Sequence, residues 1–136
     1  MRRFLFCLAA WLVSAPAAAQ QDFVVGNWFG MDQPRIKSLM WITNWRADGS
    51  FSFHFRHCKK GKNQDLRSTG SWTFHEKTLT VRTMAVDGKP FAVTDVYEML
   101  SHDKKRLTYR EMPAGFVYHA SRVDPDFQMP SCEMTS

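Results

Sequence analysis

From Val24 to Val123 the chain is a succession of stretches six to eleven residues long, rich in Phe, Trp, Tyr, Val, Ile and Thr and separated by turn residues. The clearest alternation sets Phe51, Phe53 and Phe55 against Ser52, His54 and Arg56, which places three rings on one face and polar groups on the other. Leu79, Val81 and Thr83 alternate with Thr78, Thr80 and Arg82 in the same way. Eight strands are expected: Val24–Gly30, Ile36–Arg46, Ser50–Cys58, Leu66–Phe74, Thr78–Val86, Phe91–Leu100, Arg106–Glu111 and Gly115–Val123. Asp48-Gly49 and Asp87-Gly88 are tight-turn dipeptides, and no connector is long enough for a crossover helix. Sequential strands should therefore pair as antiparallel neighbours. Eight strands, each with one dry face, either close into a barrel or split into two sheets. Closure is favoured because local hairpins suffice, it removes exposed edges, and sandwiches need long crossings. The expected fold is all-β: an eight-stranded antiparallel up-and-down meander barrel. Lys and Arg interrupt both faces of stretches such as Ile36–Arg46, which argues against a lipid-facing barrel.

Residues 1–19 follow a different pattern. Arg2-Arg3 precede an apolar stretch from Phe4 to Val13, and Ala17-Ala18-Ala19 supply the small residues read by a signal peptidase. About ten apolar residues are too few for a membrane span, which needs about twenty. A cleaved secretion signal and a periplasmic or secreted product, without a membrane span in the mature form, are expected. The remainder, 20–136, is read as one domain with a C-terminal tail at 124–136. Cleavage after Ala19 takes 19 residues and two arginines from 136 residues and 18 basic side chains. That leaves 117 residues with 16 basic against 13 acidic side chains, a net +3 in place of +5. So small an excess, without a dense Lys/Arg run, does not support nucleic-acid binding.

Cys7 leaves with the signal, and Cys58 and Cys132 remain. An even pair in an oxidising compartment is expected to form a disulfide, the alternative being two free thiols. The nine residues from Val123 to Cys132 span about 30 Å when extended. A bridge would therefore pin the tail along the barrel wall as a strap with no room for a helix.

Gly26-Asn27-Trp28, at the start of the first stretch, resembles the Gly-x-Trp signature that opens the lipocalin barrel. Arg122, near the end of the eighth, sits where lipocalins carry a basic residue over that tryptophan. In an eight-strand meander these two ends lie together, so Trp28 and Arg122 can stack to close the floor. The bland alternative is an ordinary buried tryptophan and a solvated arginine. The chain is similar to compact bacterial lipocalin-like domains and lacks the helix that lipocalins usually carry after the last strand. The resemblance implies a carrier that is monomeric and whose first connector, with Met31, Asp32, Gln33 and Pro34, acts as a lid.

The same bookkeeping puts the Cys58–Asp65 connector at the open end, where Lys59, Lys60 and Lys62 form a positive rim suited to an anionic head group. These lysines could equally be a solvated charge run. Phe51, Phe53, Phe55, Trp72, Phe91, Tyr97, Tyr109 and Tyr118 are the expected interior, either filling the barrel or lining a ligand cavity. Asp95 and Glu111 share faces with apolar neighbours and are candidates for polar groups in a pocket, although such residues more often sit at a bulge or strand end.

Chemistry is sparse. His54, His57, His75, His102 and His119 do not pair at metal-ligand spacing, and no cofactor or metal is implied, although His119 could serve a haem only if it pointed inward. No nucleophile elbow, phosphate loop or carboxylate pair appears, so no enzymatic activity is expected. Two functions remain: an envelope carrier of a small apolar or amphipathic molecule, or a protein-binding envelope module with a solid barrel. An inhibitor of a lysozyme-type hydrolase would be an example of the second, with Cys58–Asp65 as the probing loop.

Overall fold

A computed structural model of the chain describes residues 23–31 and 37–132; the expected signal at 1–19 and the lid residues Asp32, Gln33 and Pro34 lie outside them. Eight strands follow one another: β1 Gly26–Met31, β2 Leu39–Trp45, β3 Ser50–Lys59, β4 Lys62–His75, β5 Thr78–Val86, β6 Lys89–His102, β7 Arg106–Met112 and β8 Val117–Val123. Each pairs antiparallel with the next, and β1 pairs with β8, so the sheet closes into a meander barrel. No α-helix occurs among the described residues.

The turns follow their residues. Asp87 and Gly88 both have positive φ (50° and 77°), the primed-turn conformation that matches strand twist, and close β5 onto β6 with Val86 opposite Lys89. At the other end, Asp48 accepts the backbone N–H of Ser50 at 2.9 Å and its hydroxyl at 2.6 Å, fixing the β2–β3 turn.

One turn corrects an expectation. Lys60 and Gly61 alone, with φ of 54° and 73°, connect β3 to β4, and Lys59 pairs with Lys62. The Cys58–Asp65 segment is therefore hairpin rather than loop. Its polar sequence becomes strand because neighbouring side chains hold it: Arg56 pairs opposite Asp65, and Cys58 is bonded to Cys132. The lysines are exposed at a hairpin tip, at the end of the barrel opposite Trp28.

The barrel has unequal walls. β4 and β6 are 14 residues each, whereas β7 and β8 are seven each and β1 is six. β6 meets β7 only from Val96 onward, so Lys89–Asp95 rises beyond the β7 wall. Phe91 stands on that overhang and is 54% exposed, which removes it from the interior; its face is the inward one, but no wall stands across from it at that height. Met84, at a bulge in β5, is 61% exposed close by.

The lower half is solid. Trp28, Trp45, Phe51, Trp72, Phe74, Leu79, Val81, Met99, Leu107 and Ala120 form one buried cluster, capped by Val24. Trp45 meets Phe51, Phe53 and Trp72 at centroid distances of 5.4–5.7 Å in tilted or edge-on geometry, the arrangement favoured by aromatic quadrupoles. Burying a ring such as Phe51 contributes about 2–3 kcal/mol.

Candidate functional site

At the floor, the guanidinium of Arg122 lies 4.3 Å from the Trp28 ring centroid. It also donates to three carbonyls, those of Phe23 (2.9 Å), Val25 (2.8 Å) and Lys104 (2.8 Å), tying the entering chain to the β6–β7 turn. Beneath it, the Trp28 indole N–H donates to the Val24 carbonyl at 2.8 Å. Gly26 has φ +135°, a conformation that side chains rarely adopt, and a Cβ there would collide with the Arg122 guanidinium. The Gly-Asn-Trp sequence thus has a mechanical reading: glycine admits the arginine and tryptophan carries it.

Above the plug the barrel is hollow. A cavity of about 480 Å³ opens toward the end opposite Trp28, within the size range of small-molecule sites. Leu39, Trp41 and Trp45 reach it from β2, Phe53 and Phe55 from β3, Leu79 and Val81 from β5, Asp95 and Tyr97 from β6, Tyr109 from β7 and Tyr118 from β8. The period of two selects these residues, since each set recurs at alternate positions of its strand. Trp41 lies flat against β1 because its neighbour there is Gly30, where a Cβ would strike the indole ring.

Five of the eight expected interior residues come together on this wall: Phe53, Phe55, Tyr97, Tyr109 and Tyr118. Phe51 and Trp72 lie inside the barrel but in the plug, where the Trp72 indole donates to the carbonyls of Arg46 and Ser50. The rings of Tyr109 and Tyr118 stack at 5.8 Å, and Tyr97 meets Tyr109 edge-on at 5.3 Å. Burial pushes the Tyr97 and Tyr109 phenols up, so both stay neutral at any physiological pH.

The acidic pair is also on the cavity side. Asp95 lines it, and its carboxyl is pushed up first by burial and then by the neighbouring Glu111 carboxylate. Glu111 accepts a 2.8 Å hydrogen bond from the Tyr118 hydroxyl. By contrast, His119 lies on the outer face, exposed, with its Nδ1 3.0 Å from the Thr108 hydroxyl. Among the described residues no group of three or more His, Cys, Asp or Glu is placed to hold a metal ion.

On the outside of β1, β3 and β4 the tail is fastened at several points. Cys132 is bonded to Cys58, its N–H donates to the Asn63 side chain, and Phe127 packs on Phe29 at 5.1 Å. Arg56 donates to the Met129 and Pro130 carbonyls and to both oxygens of Asp65, which also meets His54 at 2.9 Å. These partners, Arg56 above all, hold the Asp65 carboxyl down at about 2. The disulfide fits a chain that leaves the cytoplasm. No described helix is long and apolar enough to cross a membrane.

Comparison with known proteins finds no family model that matches the chain and no curated protein significantly similar to it. The site therefore has to be read from its own geometry. Leu39, Trp41, Trp45, Leu79 and Val81 also line the cavity and are missing from the expected interior; Trp41 and Trp45 are the aromatic ones among them. Alternation along Leu39-Trp41-Thr43-Trp45 carried the signal, but Met40 and Ile42 make the opposite face of β2 apolar too and blur it.

Proposed function

We propose that this protein is an exported, lipocalin-like binding barrel that holds a small molecule with an apolar body in the upper half of its interior and performs no chemistry on it. The observation that carries this reading is the 480 Å³ aromatic-lined cavity above a fully packed plug. A barrel serving only as a scaffold gains stability by filling its interior, because an apolar void forfeits packing contacts. Here large rings stand around the space without closing it. The export reading is supported by the disulfide together with the Arg2-Arg3, apolar and Ala17–Ala19 sequence.

Native mass spectrometry of the mature protein, followed by titration with neutral medium-chain alcohols while tryptophan emission is recorded, tests the proposal. A bound small molecule or saturable change in emission from Trp41 and Trp45 is expected. A barrel that stays empty and spectroscopically inert to the whole series overturns it. A second reading, as a protein-binding envelope module, is favoured by the β5–β6 overhang, where Phe91 and Met84 are exposed. In the lysozyme-inhibitor form of that reading, stoichiometric protein slows muramidase activity and Phe91→Asp relieves the inhibition.

A further inference from the structure

We infer that the cavity selects a small organic cation, a molecule whose apolar body lies among the rings and whose single ammonium group meets the Asp95 carboxylate. This deepens the binding reading above and rests on it. Among the described residues eleven line the cavity, and of these Asp95 is the one whose side chain carries a charge at neutral pH, the tyrosines being neutral. Lys59, Lys60 and Lys62 are exposed at the β3–β4 tip and are not among the lining residues.

Asp95 is also unsatisfied. No hydrogen bond or ion pair from a described residue reaches its carboxylate, whose cross-strand neighbour on β5 is the buried Val81. Among the described residues the neighbouring arginines serve elsewhere: Arg82 pairs with Thr94 in the ladder, one position out of phase and hence on the outer face, and Arg110 meets Glu98 at 3.9 Å. Glu111 adds a second negative charge beside Asp95, with the Tyr118 hydroxyl bonded to it. A half-buried carboxylate without a donor is costly to keep, and a ligand that brings a positive charge removes that cost on binding.

The rings point the same way. Trp41, Trp45, Phe53, Tyr97, Tyr109 and Tyr118 line one space, and tertiary and quaternary ammonium groups are held by aromatic faces. A carboxylate or phosphate head group would meet like charge at Asp95 and, among the described lining residues, no cation. A neutral ligand leaves Asp95 as it is. Charge, missing donor and aromatic surface therefore agree on one class of ligand.

Three probes with one tail and different heads separate the possibilities: decyltrimethylammonium, decanol and decanoate, titrated calorimetrically at neutral pH into the mature, disulfide-bonded protein. The ammonium is expected to bind about tenfold or more tightly than decanol, with decanoate weakest. Asp95→Asn, checked for fold by near-ultraviolet dichroism, brings the ammonium to within about threefold of decanol. Glu111→Gln reduces the preference less, because the Tyr118 hydroxyl already engages that carboxylate. Decanoate binding as tightly as the ammonium, or an ammonium preference that survives Asp95→Asn, overturns the inference while leaving a binding cavity in place. Failure of all three probes overturns the binding reading itself.

Discussion

Arg122 offers the sharpest test of how the barrel is closed. Its guanidinium stacks on Trp28 at 4.3 Å and donates to the carbonyls of Phe23, Val25 and Lys104. Each contact is modest because the arginine is exposed: about 0.5–1 kcal/mol for the cation–π contact and a similar amount for each carbonyl. Arg122→Ala removes them together and uncovers Trp28, which is 1% exposed in the native protein. The expected loss is about 2–3 kcal/mol, less than the sum of four maxima because water replaces part of each bond. For a domain of this size that lowers the melting temperature by roughly 10 °C. Arg122→Lys keeps the charge over the ring but has no planar fork to reach three carbonyls, so it should recover less than half of the loss. Denaturant unfolding followed by tryptophan emission supplies the numbers, and a cycle with Trp28→Phe should give a coupling of about 0.5–1 kcal/mol. If Arg122→Lys matches the wild type, or Arg122→Ala costs under about 0.5 kcal/mol, the floor is held by strand pairing alone and the argument fails.

Further outcomes follow from other contacts. The Cys58–Cys132 bridge closes a separation of 74 residues, so Cys132→Ser should cost up to about 4 kcal/mol in thermal unfolding and expose the 124–132 tail to limited proteolysis. Asp65 sits at about 2, below its ordinary 3.8, so its stabilisation is present above about pH 4 and is lost as pH falls through 2. Its side chain is 32% exposed, so solvent screening trims the roughly 2.5 kcal/mol of that shift to about 1–2 kcal/mol; Asp65→Asn should show this deficit at pH 7 and none near pH 2. Asp95 has the opposite sign: its raised carboxyl favours the fold at low pH and opposes it as pH rises, so ligand-free Asp95→Asn should melt higher than wild type at pH 7. Gly30→Val drives the Trp41 indole off its seat, and a loss of about 1–3 kcal/mol together with weaker decanol binding is expected by calorimetry.

Faces of strands were easier to read from the sequence than their heights. Period-two alternation identified Phe53, Phe55, Tyr97, Tyr109 and Tyr118 as inward because it reports which side of the sheet a residue occupies. It says nothing about where a neighbouring strand stops, and so it places Phe91 in an interior that does not extend to that residue's level. The β3–β4 hairpin was obscured for a different reason. Its upper part is solvated on both sides, so Lys59–Asp65 carries no hydrophobic signature, and pairing there is held by Arg56–Asp65 and the tail, contacts distant in sequence. Whether the barrel is filled or hollow depended on ring positions rather than ring count: four of the five tryptophans of the chain are Trp28, Trp41, Trp45 and Trp72, and of these Trp28 and Trp72 belong to the plug alone.

The sign of the ligand turns on a comparison of two electrostatic environments. The exposed lysines of the β3–β4 tip act through water and salt, where a charge is screened within about 8–10 Å and an exposed pair is worth at most about 1 kcal/mol. They can bias the approach of an anion, but that influence fades once a ligand moves below the rim. Asp95 acts across a cavity walled by rings, where the effective dielectric is several-fold lower and the same unit charge interacts several-fold more strongly. A ligand held in the cavity therefore feels the carboxylate more than the rim, and the net positive charge of the whole chain is a poor guide to what the interior accepts. Physiological salt should weaken any lysine-driven anion association far more than binding governed by Asp95, so the ammonium preference over decanoate should widen, not vanish, as salt is raised.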